Sequence, residues 1–333
     1  MMKQGEYKVD IFTGVRPTAE LTVGNVLGAV YPLLELQSSG MRPMVFVADM
    51  HGLTSHEPKE IREHVKNIVI DCITLGLDPE KVDIYIQSDI DIEVSLLTIY
   101  LMRHITVSEL IKVPTLKDKI KEGHRAETAN ALLAAYPVMM ASDILLQRSQ
   151  FIPVGKDQKS HIEITRLIAK RFNSKYGPVF PLPKTQEVKL LKILSLDGKG
   201  KMSKSNPNGA IVLSDTPKEA EKKIKRAETA FAGEMNAVLE SHFLIATELT
   251  KDVEKLKEVG RIRKAHMSGE KVMGDFKKIL SEIVGDFLTD FQEKRKVVAA
   301  DTEKIQKILD EGAKKARENG QETIRMVKEA LYS

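Results

Sequence analysis

An α/β fold followed by a helical domain is the architecture that this sequence predicts, and two patterns predict it. In roughly the first 155 residues, segments with strand character alternate with segments of helical periodicity. After residue 216, apolar residues recur almost only at spacings of three and four, which is typical of helices. Strands that alternate with helices form a parallel sheet with right-handed crossovers. We therefore expect a Rossmann-like, doubly wound parallel sheet, whose ligands bind at the carboxyl ends of the strands, and a C-terminal helical domain.

Short apolar segments mark the strands of this sheet. The first segment, Val9-Asp10-Ile11-Phe12, ends at Thr13-Gly14. The second, from Met44 to Ala48, is apolar throughout, as expected for a strand that is buried on both faces. The other predicted elements of this part are helices over 24–36 and 58–75 and strands over 82–86 and 151–154.

The second half of the chain is predicted to be helical. The segments 248–263, 272–291 and 302–331 carry apolar residues at helical spacing. We therefore divide the chain into a sheet domain over 1–185, a linker over 186–215 and a helical domain over 216–333. The last helix of the helical domain could pack back on the sheet domain.

Composition and charge exclude several classes of protein. With 333 residues, 42% of them hydrophobic and 29% charged, the chain has an ordinary globular composition and the length of one large or two modest domains. No apolar run approaches the roughly 20 residues that span a bilayer, and the first seven residues lack the apolar core of a signal peptide. The single cysteine, Cys72, cannot form an internal disulfide or a cysteine metal cluster, and we expect a buried thiol. These features predict a cytoplasmic protein with no membrane partner.

The pentapeptide Lys201-Met202-Ser203-Lys204-Ser205 is the most informative segment. It follows Gly198 and Gly200 and precedes Asn206-Pro207-Asn208-Gly209, so the backbone can bend at both ends. Lysine supplies a compact positive charge, and backbone N–H groups of a glycine-rich turn bind anionic oxygens. The segment therefore predicts a loop that closes over a polyphosphate. The alternative is a solvated lysine-rich loop.

Positive charge is concentrated around this pentapeptide. The net charge of the whole chain is +4, but the segment 184–226 contains 11 basic and 5 acidic residues, a local charge of +6. Such a field favours polyphosphate, RNA or both. The alternative is a helix whose solvated face is basic.

A second candidate site opens the first predicted helix, at Thr22-Val23-Gly24-Asn25. A glycine allows a ligand to approach the backbone closely, and a helix N-terminus offers unpaired N–H groups to phosphates. A nucleotide could therefore pack on Gly24 with its phosphates near Thr22. The alternative is an ordinary turn between a strand and a helix.

Together, these segments resemble a known enzyme family. The pentapeptide resembles the KMSKS signature of class I aminoacyl-tRNA synthetases, and Thr22–Asn25 resembles their HIGH motif, with threonine where histidine is commonest. The segment Thr13-Gly14-Val15-Arg16-Pro17-Thr18 is similar to the version in tryptophanyl-tRNA synthetases. The other segments that fit are 47–54, 76–79, 86–88, 136–145, 153–158 with His161, and 311–317.

The resemblance implies an activity. The enzyme would activate L-tryptophan with ATP to tryptophanyl-adenylate and pyrophosphate, and would then transfer tryptophan to tRNA(Trp). It implies ATP and Mg²⁺ as cofactors, with the metal held mainly by the phosphates, and a homodimer. Residues 1–185 would be the catalytic domain and residues 216–333 the anticodon-binding domain.

The implied ATP site combines both motifs with the end of the fourth predicted strand. Lysine and hydroxyl groups would neutralise the charge that develops on the phosphates, and loop closure would gate this step. The catalytic residues would be Lys201, Ser203, Lys204 and Thr22. The ATP-binding residues would be Arg16, Thr22, Gly24, Asn25, Gly155, Asp157, Gln158, Lys201, Met202, Ser203 and Lys204.

The implied tryptophan site needs apolar walls and one acceptor for the indole N–H. Met140 and Asp143 are three residues apart on a predicted helix and can supply the contact and the acceptor. Tyrosyl-tRNA synthetases typically have glutamine at the position of Met140, which favours tryptophan. The remaining residues would be Phe12, His51, Ile152 and Val154 in the walls, and Tyr136 and Gln158 at the α-ammonium group. For Phe12 and Val154 ordinary sheet core is an equal explanation, Asp143 could be a solvated helix residue, and His161 is better explained as structural than as catalytic.

Three residues depart from the family pattern: Ala19 replaces a glycine, Lys156 stands where an acidic residue is frequent, and Thr22 lacks an imidazole. They put the turn geometry, the ribose site and the level of activity in doubt. Three alternatives therefore stay open. They are a tyrosyl-tRNA synthetase, a paralogue that binds tRNA or ATP without charging, and another nucleotidyltransferase that adenylates a small molecule.

Overall fold

A parallel sheet lies at the centre of the N-terminal half, as the computed structural model shows. The structure describes residues 5–17, 20–38, 40–113, 116, 130–154, 159–187 and 191–333. In that part of the chain the strands are β1 (Val9–Val15), β2 (Pro43–Val47), β3 (Asp83–Ile86), β4 (Ser149–Val154) and β5 (Lys184–Glu187). They are all parallel, in the order β3-β2-β1-β4-β5. The predicted doubly wound sheet is confirmed, and its order reverses between β1 and β4, where ligands of such sheets bind.

The sequence analysis missed β5. This strand pairs only with β4, so it forms one edge of the sheet. Its four residues, Lys-Thr-Gln-Glu, carry no apolar pattern because an edge strand is only partly covered. Its parallel pairing with β4 is a tertiary contact that local sequence does not encode.

The helices follow the predicted alternation. The first begins as α1 (Val23–Asn25), passes through a π-helical turn (Val26–Val30) and continues as α2 (Tyr31–Ser38). The others around the sheet are α3 (Asp49–Gly52), α4 (Pro58–Thr74), α5 (Asp91–Met102), α6 (Val107–Ile111), α7 (Ala131–Leu146) and α8 (Lys159–Tyr176). The C-terminal region contains α9 (Pro217–Lys225), α10 (Ala237–Leu249), α11 (Val253–Met267), α12 (Met273–Ala300) and α13 (Thr302–Tyr332).

The predicted helix over 248–263 is confirmed from Val253 onward as α11, but its start is wrong, because residues 248 and 249 end α10 and the chain breaks before Val253. Asp252 caps the second helix, and its carboxylate accepts hydrogen bonds from the backbone N–H groups of Glu254 and Lys255 at 2.9 and 3.2 Å. An aspartate at this position satisfies donors that the first turn leaves unpaired, which favours a helix start over a continuous helix.

Both faces of the sheet are buried. On one face, Ile11, Val45 and Ile84 pack in a core that includes α2, α4 and the helices α9 to α12. On the other face, Phe12, Phe46 and other residues pack against α5, α7, α8 and α13. Strand residues that alternate between two cores explain the continuous apolar runs in the sequence.

Contacts from two of the C-terminal helices, α12 and α13, join the helical region to the rest of the protein. On α12, Arg295 Nε donates to Asp71 Oδ1 of α4 at 2.6 Å, and Gln292 donates to the backbone carbonyls of Leu213 and Asp215 at 2.9 Å. The final helix α13 packs along β3, where Lys315 lies 2.7 Å from Asp83. This helix therefore covers the second edge of the sheet.

Cys72 lies buried on α4, as predicted, and burial raises the pKa of its thiol to about 12. Such a thiol stays protonated at neutral pH and is therefore a poor nucleophile. Among the described residues, none of the helices combines the length and the apolarity that crossing a membrane requires.

A glycine in α13 allows this helix to lie directly on β3. A Cβ atom on Gly312 would lie 2.0 Å from the backbone oxygen of Ile84. We expect Gly312→Ala to lower the free energy of unfolding by about 2 kcal/mol, because the helix must move away from the strand. Thermal unfolding followed by circular dichroism measures this loss as a lower midpoint.

The matched control is Gly260→Ala on α11, where a Cβ meets no atom within 4 Å. This variant should be as stable as the wild type or gain up to about 1 kcal/mol, because alanine favours helix over glycine. An unchanged midpoint for Gly312→Ala would show that α13 does not require this close approach.

Candidate active site

A cavity of about 390 Å³ opens at the carboxyl end of the sheet, beside the reversal between β1 and β4. Its walls come from residues at the ends of three strands and from α7. The lining residues used below are Phe12, Arg16, Phe46, His51, Tyr136, Met140, Asp143, Ile152 and His161. A mostly apolar cavity of this size with a few polar groups is typical of a small-molecule site.

Two stacked aromatic rings form part of the apolar walls. Phe12 of β1 and Phe46 of β2 line the cavity with centroids 4.8 Å apart, and Tyr85 of β3 lies 6.0 Å from Phe46. Met140 and Ile152 complete the walls. The cavity therefore presents flat, polarizable surfaces to a ligand.

One helix contributes three of the predicted tryptophan-binding residues. Tyr136, Met140 and Asp143 lie on α7 at spacings of four and three, which places them on one face, and all three line the cavity. Of the remaining predicted residues, Phe12, His51 and Ile152 also line it. The side chain of Val154 and all of Gln158 lie outside the described part of the chain.

Asp143 is the principal polar group of the cavity. It is only 2% exposed, and its Oδ2 lies 2.8 Å from His51 Nε2. Burial raises the pKa of its carboxyl, while the hydrogen bonds from His51 and Gln87 act in the opposite direction. The net direction is upward because desolvation disfavours the charged form more strongly.

Gln87 is a site residue that the sequence analysis did not assign. It is fully buried directly after β3, and its side-chain Nε2 donates to both oxygens of Asp143, at 2.8 and 3.0 Å. Its Oε1 in turn accepts from the backbone N–H of His51. The signal in the sequence was a glutamine directly after a buried strand, in a sheet whose ligands bind at strand ends.

These contacts leave Asp143 able to accept one further hydrogen bond. A carboxylate has about four lone-pair positions. In the described structure, His51 and Gln87 make three contacts with it, two of them at Oδ2. A ligand N–H that enters the cavity can therefore reach an acceptor whose orientation is already set.

The predicted site at the first helix has a defined cap. Thr22 is 1% exposed, and its hydroxyl accepts from Asn25 N at 3.2 Å while the side chain of Asn25 accepts from Thr22 N at 2.9 Å. A Cβ on Gly24 would lie 3.0 Å from Cβ of Met202. A side chain at this position would displace Met202 by a few tenths of an ångström, so glycine favours close packing of the pentapeptide on the helix start.

The pentapeptide extends from a short hairpin with a firm base. Gly198 and Gly200 have φ values of +71° and +105°, which confirms the predicted bend before the loop. At the base, the Asp197 carboxylate accepts from Ser195 at 2.8 Å and from Asn206 at 2.9 Å. The pKa of Asp197 is lowered, mainly by the hydrogen bond from Asn206.

The two lysines of the pentapeptide are exposed, and Met202 between them is buried. Lys204 Nζ lies 3.7 Å from Glu20 Oε2. The same lysine lines a second cavity of about 510 Å³, between Glu20, α4 and α12, and not the cavity around Asp143. The structure therefore places the Lys204 side chain away from the cavity around Asp143.

Several predicted positions cannot be compared with the structure. Gly155, Asp157 and Gln158, together with the departures Lys156 and Ala19, lie outside the described residues.

Arg16 lies at the cavity around Asp143, where its Nη2 is 3.4 Å from the backbone oxygen of His51. His161 also lines this cavity and packs 5.7 Å from the ring of Tyr136.

Known proteins resemble the chain over nearly its whole length. A model of the family "tRNA synthetases class I (W and Y)" matches residues 3–298. The tryptophan–tRNA ligase of Bacillus subtilis (strain 168) is 34% identical, over 97% of this chain and 98% of that protein. The tryptophan–tRNA ligase of Helicobacter pylori (strain ATCC 700392 / 26695) is 33% identical, over 98% and 99%.

Solved structures agree with these similarities. The tryptophanyl-tRNA synthetase of Campylobacter jejuni, crystallised with ADP and tryptophan, superposes with a TM-score of 0.82 at 29% identity, over 97% of this chain and 99% of that one. The enzyme of Mycoplasma pneumoniae also gives a TM-score of 0.82.

The parallel sheet with its cavity at the strand-order reversal, and a family match over most of the chain, define a class I aminoacyl-tRNA synthetase. Within that class, relatives that are more than 30% identical over nearly the whole length are tryptophan–tRNA ligases. The chain belongs to the tryptophanyl-tRNA synthetase family.

Proposed function

We propose that this chain activates L-tryptophan with ATP and transfers the tryptophan to tRNA(Trp). One observation carries the choice of amino acid: Asp143 is a buried acceptor with a free position in an aromatic cavity. Indole has a single N–H donor on a flat apolar body, which this arrangement complements. The names of the relatives support the same activity.

In the first step, an oxygen of the tryptophan carboxylate attacks the α-phosphorus of ATP. A new C–O–P link forms, the bond between the α-phosphorus and the oxygen that bridges to the β-phosphate breaks, and pyrophosphate leaves. Mg²⁺ would be held mainly by the phosphates of ATP and would help to neutralise their charge, which suits a cation that uses few protein ligands. In the second step, a ribose hydroxyl of tRNA attacks the activated carbonyl and AMP leaves.

The protein's task in this chemistry is positioning and charge neutralisation. We assign the neutralisation of the phosphate charge to Lys201, Ser203 and Lys204. To reach a phosphate, Lys204 must break its ion pair with Glu20. The two charged groups lie 3.7 Å apart, and 45% of the lysine side chain is exposed. An exposed ion pair contributes only about 0–1 kcal/mol, so its release costs little.

The other proposed ATP contacts surround the start of the first helix and the end of β4. Thr22 acts through the helix start that it caps together with Asn25. Arg16, Gly24 and Met202 would line the nucleotide, and Gly155, Asp157 and Gln158 would contact its ribose. Gln158 and Tyr136 would also hold the α-ammonium group of tryptophan.

We further propose that residues 1–185 form the catalytic domain and that residues 216–333 form the domain that reads tRNA. The helix α12 supports this division. The C-terminal end of α12 contacts the catalytic region, and the helix packs with α9, α10 and α11 along its length.

A homodimer completes the proposal. An apolar face on α5 and α6 is exposed, with Ile92, Ile99 and Val107 at 74%, 64% and 70%. Ile92 and Ile99 are seven residues apart and so share one side of α5. A row of large exposed apolar side chains is typical of a protein interface, and we propose a second copy of the chain as its occupant.

Pyrophosphate exchange into ATP tests the proposed reaction. The wild-type protein should exchange with tryptophan and not with tyrosine or phenylalanine. Lys204→Ala should reduce this exchange by about 100-fold, because a charged donor to the transition state is lost. Tryptophan binding should remain within about twofold, since Lys204 does not line the cavity around Asp143.

Lys199→Ala is the matched control, because Lys199 belongs to the same hairpin and pairs only weakly with Asp197, at 3.7 Å. It should exchange at the wild-type rate. Exchange with tyrosine alone would refute the proposed substrate, and RNA binding without adenylate would favour a non-charging paralogue. Equal loss of exchange and of tryptophan binding in Lys204→Ala would make the loop structural.

Gln87→Leu tests how Asp143 is held. Tryptophan should bind about 10-fold more weakly, because a hydrogen bond to a charged group is lost. Removal of the Gln87 donors also raises the pKa of Asp143 further. As pH falls, binding should therefore weaken at a higher pH than in the wild type. The change in tryptophan emission on binding is measured without a background from protein indoles, because the chain contains no tryptophan.

Gln147→Leu provides the comparison, since this glutamine is equally buried but donates to the backbone oxygen of Ala316. The Gln147→Leu variant should have a changed free energy of unfolding, but its pH profile of tryptophan binding should be that of the wild type. The same shift in both variants would show that Gln87 acts only through the general stability of the fold.

The dimer is tested by sedimentation equilibrium. The wild-type protein should have the mass of two chains, and Ile99→Asp should have the mass of one, because a charge in an apolar interface is costly. Val297→Asp, at a residue 74% exposed on α12, should remain a dimer. A wild-type protein that sediments as a single chain would refute the proposal.

A further inference from the structure

The second cavity, of about 510 Å³, lies between the pentapeptide, α4 and α12, and the proposed reaction does not use it. Charged side chains of both signs line it. They are the carboxylates Glu20 and Asp71 and the cations Lys204, Arg295 and Lys296. Lys204, to which we assign phosphate charge, therefore lies in a cavity that contains two carboxylates.

One of these carboxylates has a cationic partner of its own. Asp71 is buried on α4, and Arg295 Nε donates to its Oδ1 at 2.6 Å. Arg295 Nη2 also donates to Asn67 Oδ1 at 2.9 Å. The guanidinium of α12 is therefore engaged by α4, and Glu20 pairs with a different cation.

That cation is Lys204. Its Nζ lies 3.7 Å from Glu20 Oε2, and 26% of the Glu20 side chain is exposed. In the part of the chain that the structure describes, Lys204 is the one cation at ion-pair distance from this carboxylate. The charge of Glu20 also reaches Asp71, where it adds to the rise in pKa that burial causes. Two carboxylates that repel each other favour a cation in the same cavity.

The Glu20 carboxylate is held in place by the backbone. Its Oε1 accepts from Ser214 N at 2.9 Å, and Leu213 N donates to the oxygen of Leu21 at 3.0 Å. These bonds join the segment before the first helix to the segment that follows the hairpin. The acceptor for Lys204 is therefore oriented in advance, and mainly the lysine side chain loses freedom when the pair forms.

The two partners of Lys204 exclude each other in the proposed reaction. Thr22, which caps the helix start to which we assign the nucleotide, follows Glu20 by two residues. Lys204 lines the cavity that contains Glu20 and not the cavity around Asp143. A lysine ammonium is a compact point charge that binds a carboxylate oxygen or a phosphate oxygen. While Glu20 holds it, this charge does not reach ATP.

We propose that Glu20 competes with the phosphates of ATP for Lys204 and thereby lowers the efficiency with which the protein uses ATP. This inference rests on the proposed function. Glu20 is a positioning residue, since it acts through Lys204 and not on the substrate. When only a fraction of the molecules is competent to bind, the apparent affinity falls by that fraction. An exposed ion pair biases such an equilibrium by a factor of up to about five.

The test is pyrophosphate exchange by the intact protein at varied ATP and saturating tryptophan. Glu20→Gln keeps an oxygen that can accept from Ser214 N and removes the charge that holds Lys204. The kcat/KM for ATP should rise about threefold. Damage to the fold would lower this value, so a gain reports the release of the lysine. Tryptophan should bind as in the wild type, because Glu20 does not line the cavity around Asp143.

A double-mutant cycle shows whether the effect passes through Lys204. In the Lys204→Ala background, Glu20→Gln should leave the kcat/KM for ATP unchanged, because no lysine remains to be released. Glu221→Gln is the matched control. It also removes one negative charge, from an exposed pair with Lys225 on α9, and should use ATP like the wild type.

The inference is overturned if Glu20→Gln binds tryptophan normally but shows no gain in kcat/KM for ATP. It is also overturned if the gain is as large in the Lys204→Ala background, since the carboxylate would then act on ATP directly through its charge. A gain of the same size in Glu221→Gln would likewise show that net charge alone is responsible. The proposed function fails in a different way, namely when the wild type shows no exchange with tryptophan.

Discussion

The cavity at the carboxyl end of the sheet depends on a single buried carboxylate, Asp143. A charge that is removed from water is costly unless hydrogen bonds compensate for it. Asp143 receives this compensation from His51, which follows β2, and from Gln87, which follows β3. Three separate elements are therefore held in one geometry by one side chain. A ligand without an N–H would occupy the cavity but leave an acceptor unpaired, and this is the physical basis for discrimination by such a site.

The hairpin that carries the pentapeptide combines a firm base with a weakly held tip. Its base is fixed by Asp197 and by the packing of Met202 on Gly24, and Val23 N donates to the oxygen of Ile211 at 2.9 Å. At the tip, Lys204 forms an exposed and long ion pair with Glu20. The side chain to which we assign phosphate binding can therefore move while the backbone that carries it stays in register.

The same hairpin also contacts the loop between α9 and α10. Glu228 N donates to the backbone oxygen of Leu196 at 2.7 Å. The basic end of α9 and the pentapeptide therefore belong to one continuous piece of structure. The local excess of positive charge in the sequence is divided within it between the tip of the hairpin and the end of the helix.

The sequence by itself determined the fold class, because buried parallel strands and amphipathic helices have different periodicities, and the strands β1 to β4 were predicted on that basis. The resemblance of its motifs to the synthetase family also predicted the group of residues around Asp143, and helical spacing placed Met140 and Asp143 on one face. Tertiary structure alone decided the pairing of β5, the contact of Gly312 with β3 and the role of Gln87. Each of these contacts joins residues that are more than 30 positions apart in the chain. Gln87 and Asp143, for example, are 56 positions apart. Local periodicity indicates which face of an element is buried. It does not indicate which residue, distant in the sequence, packs against that face.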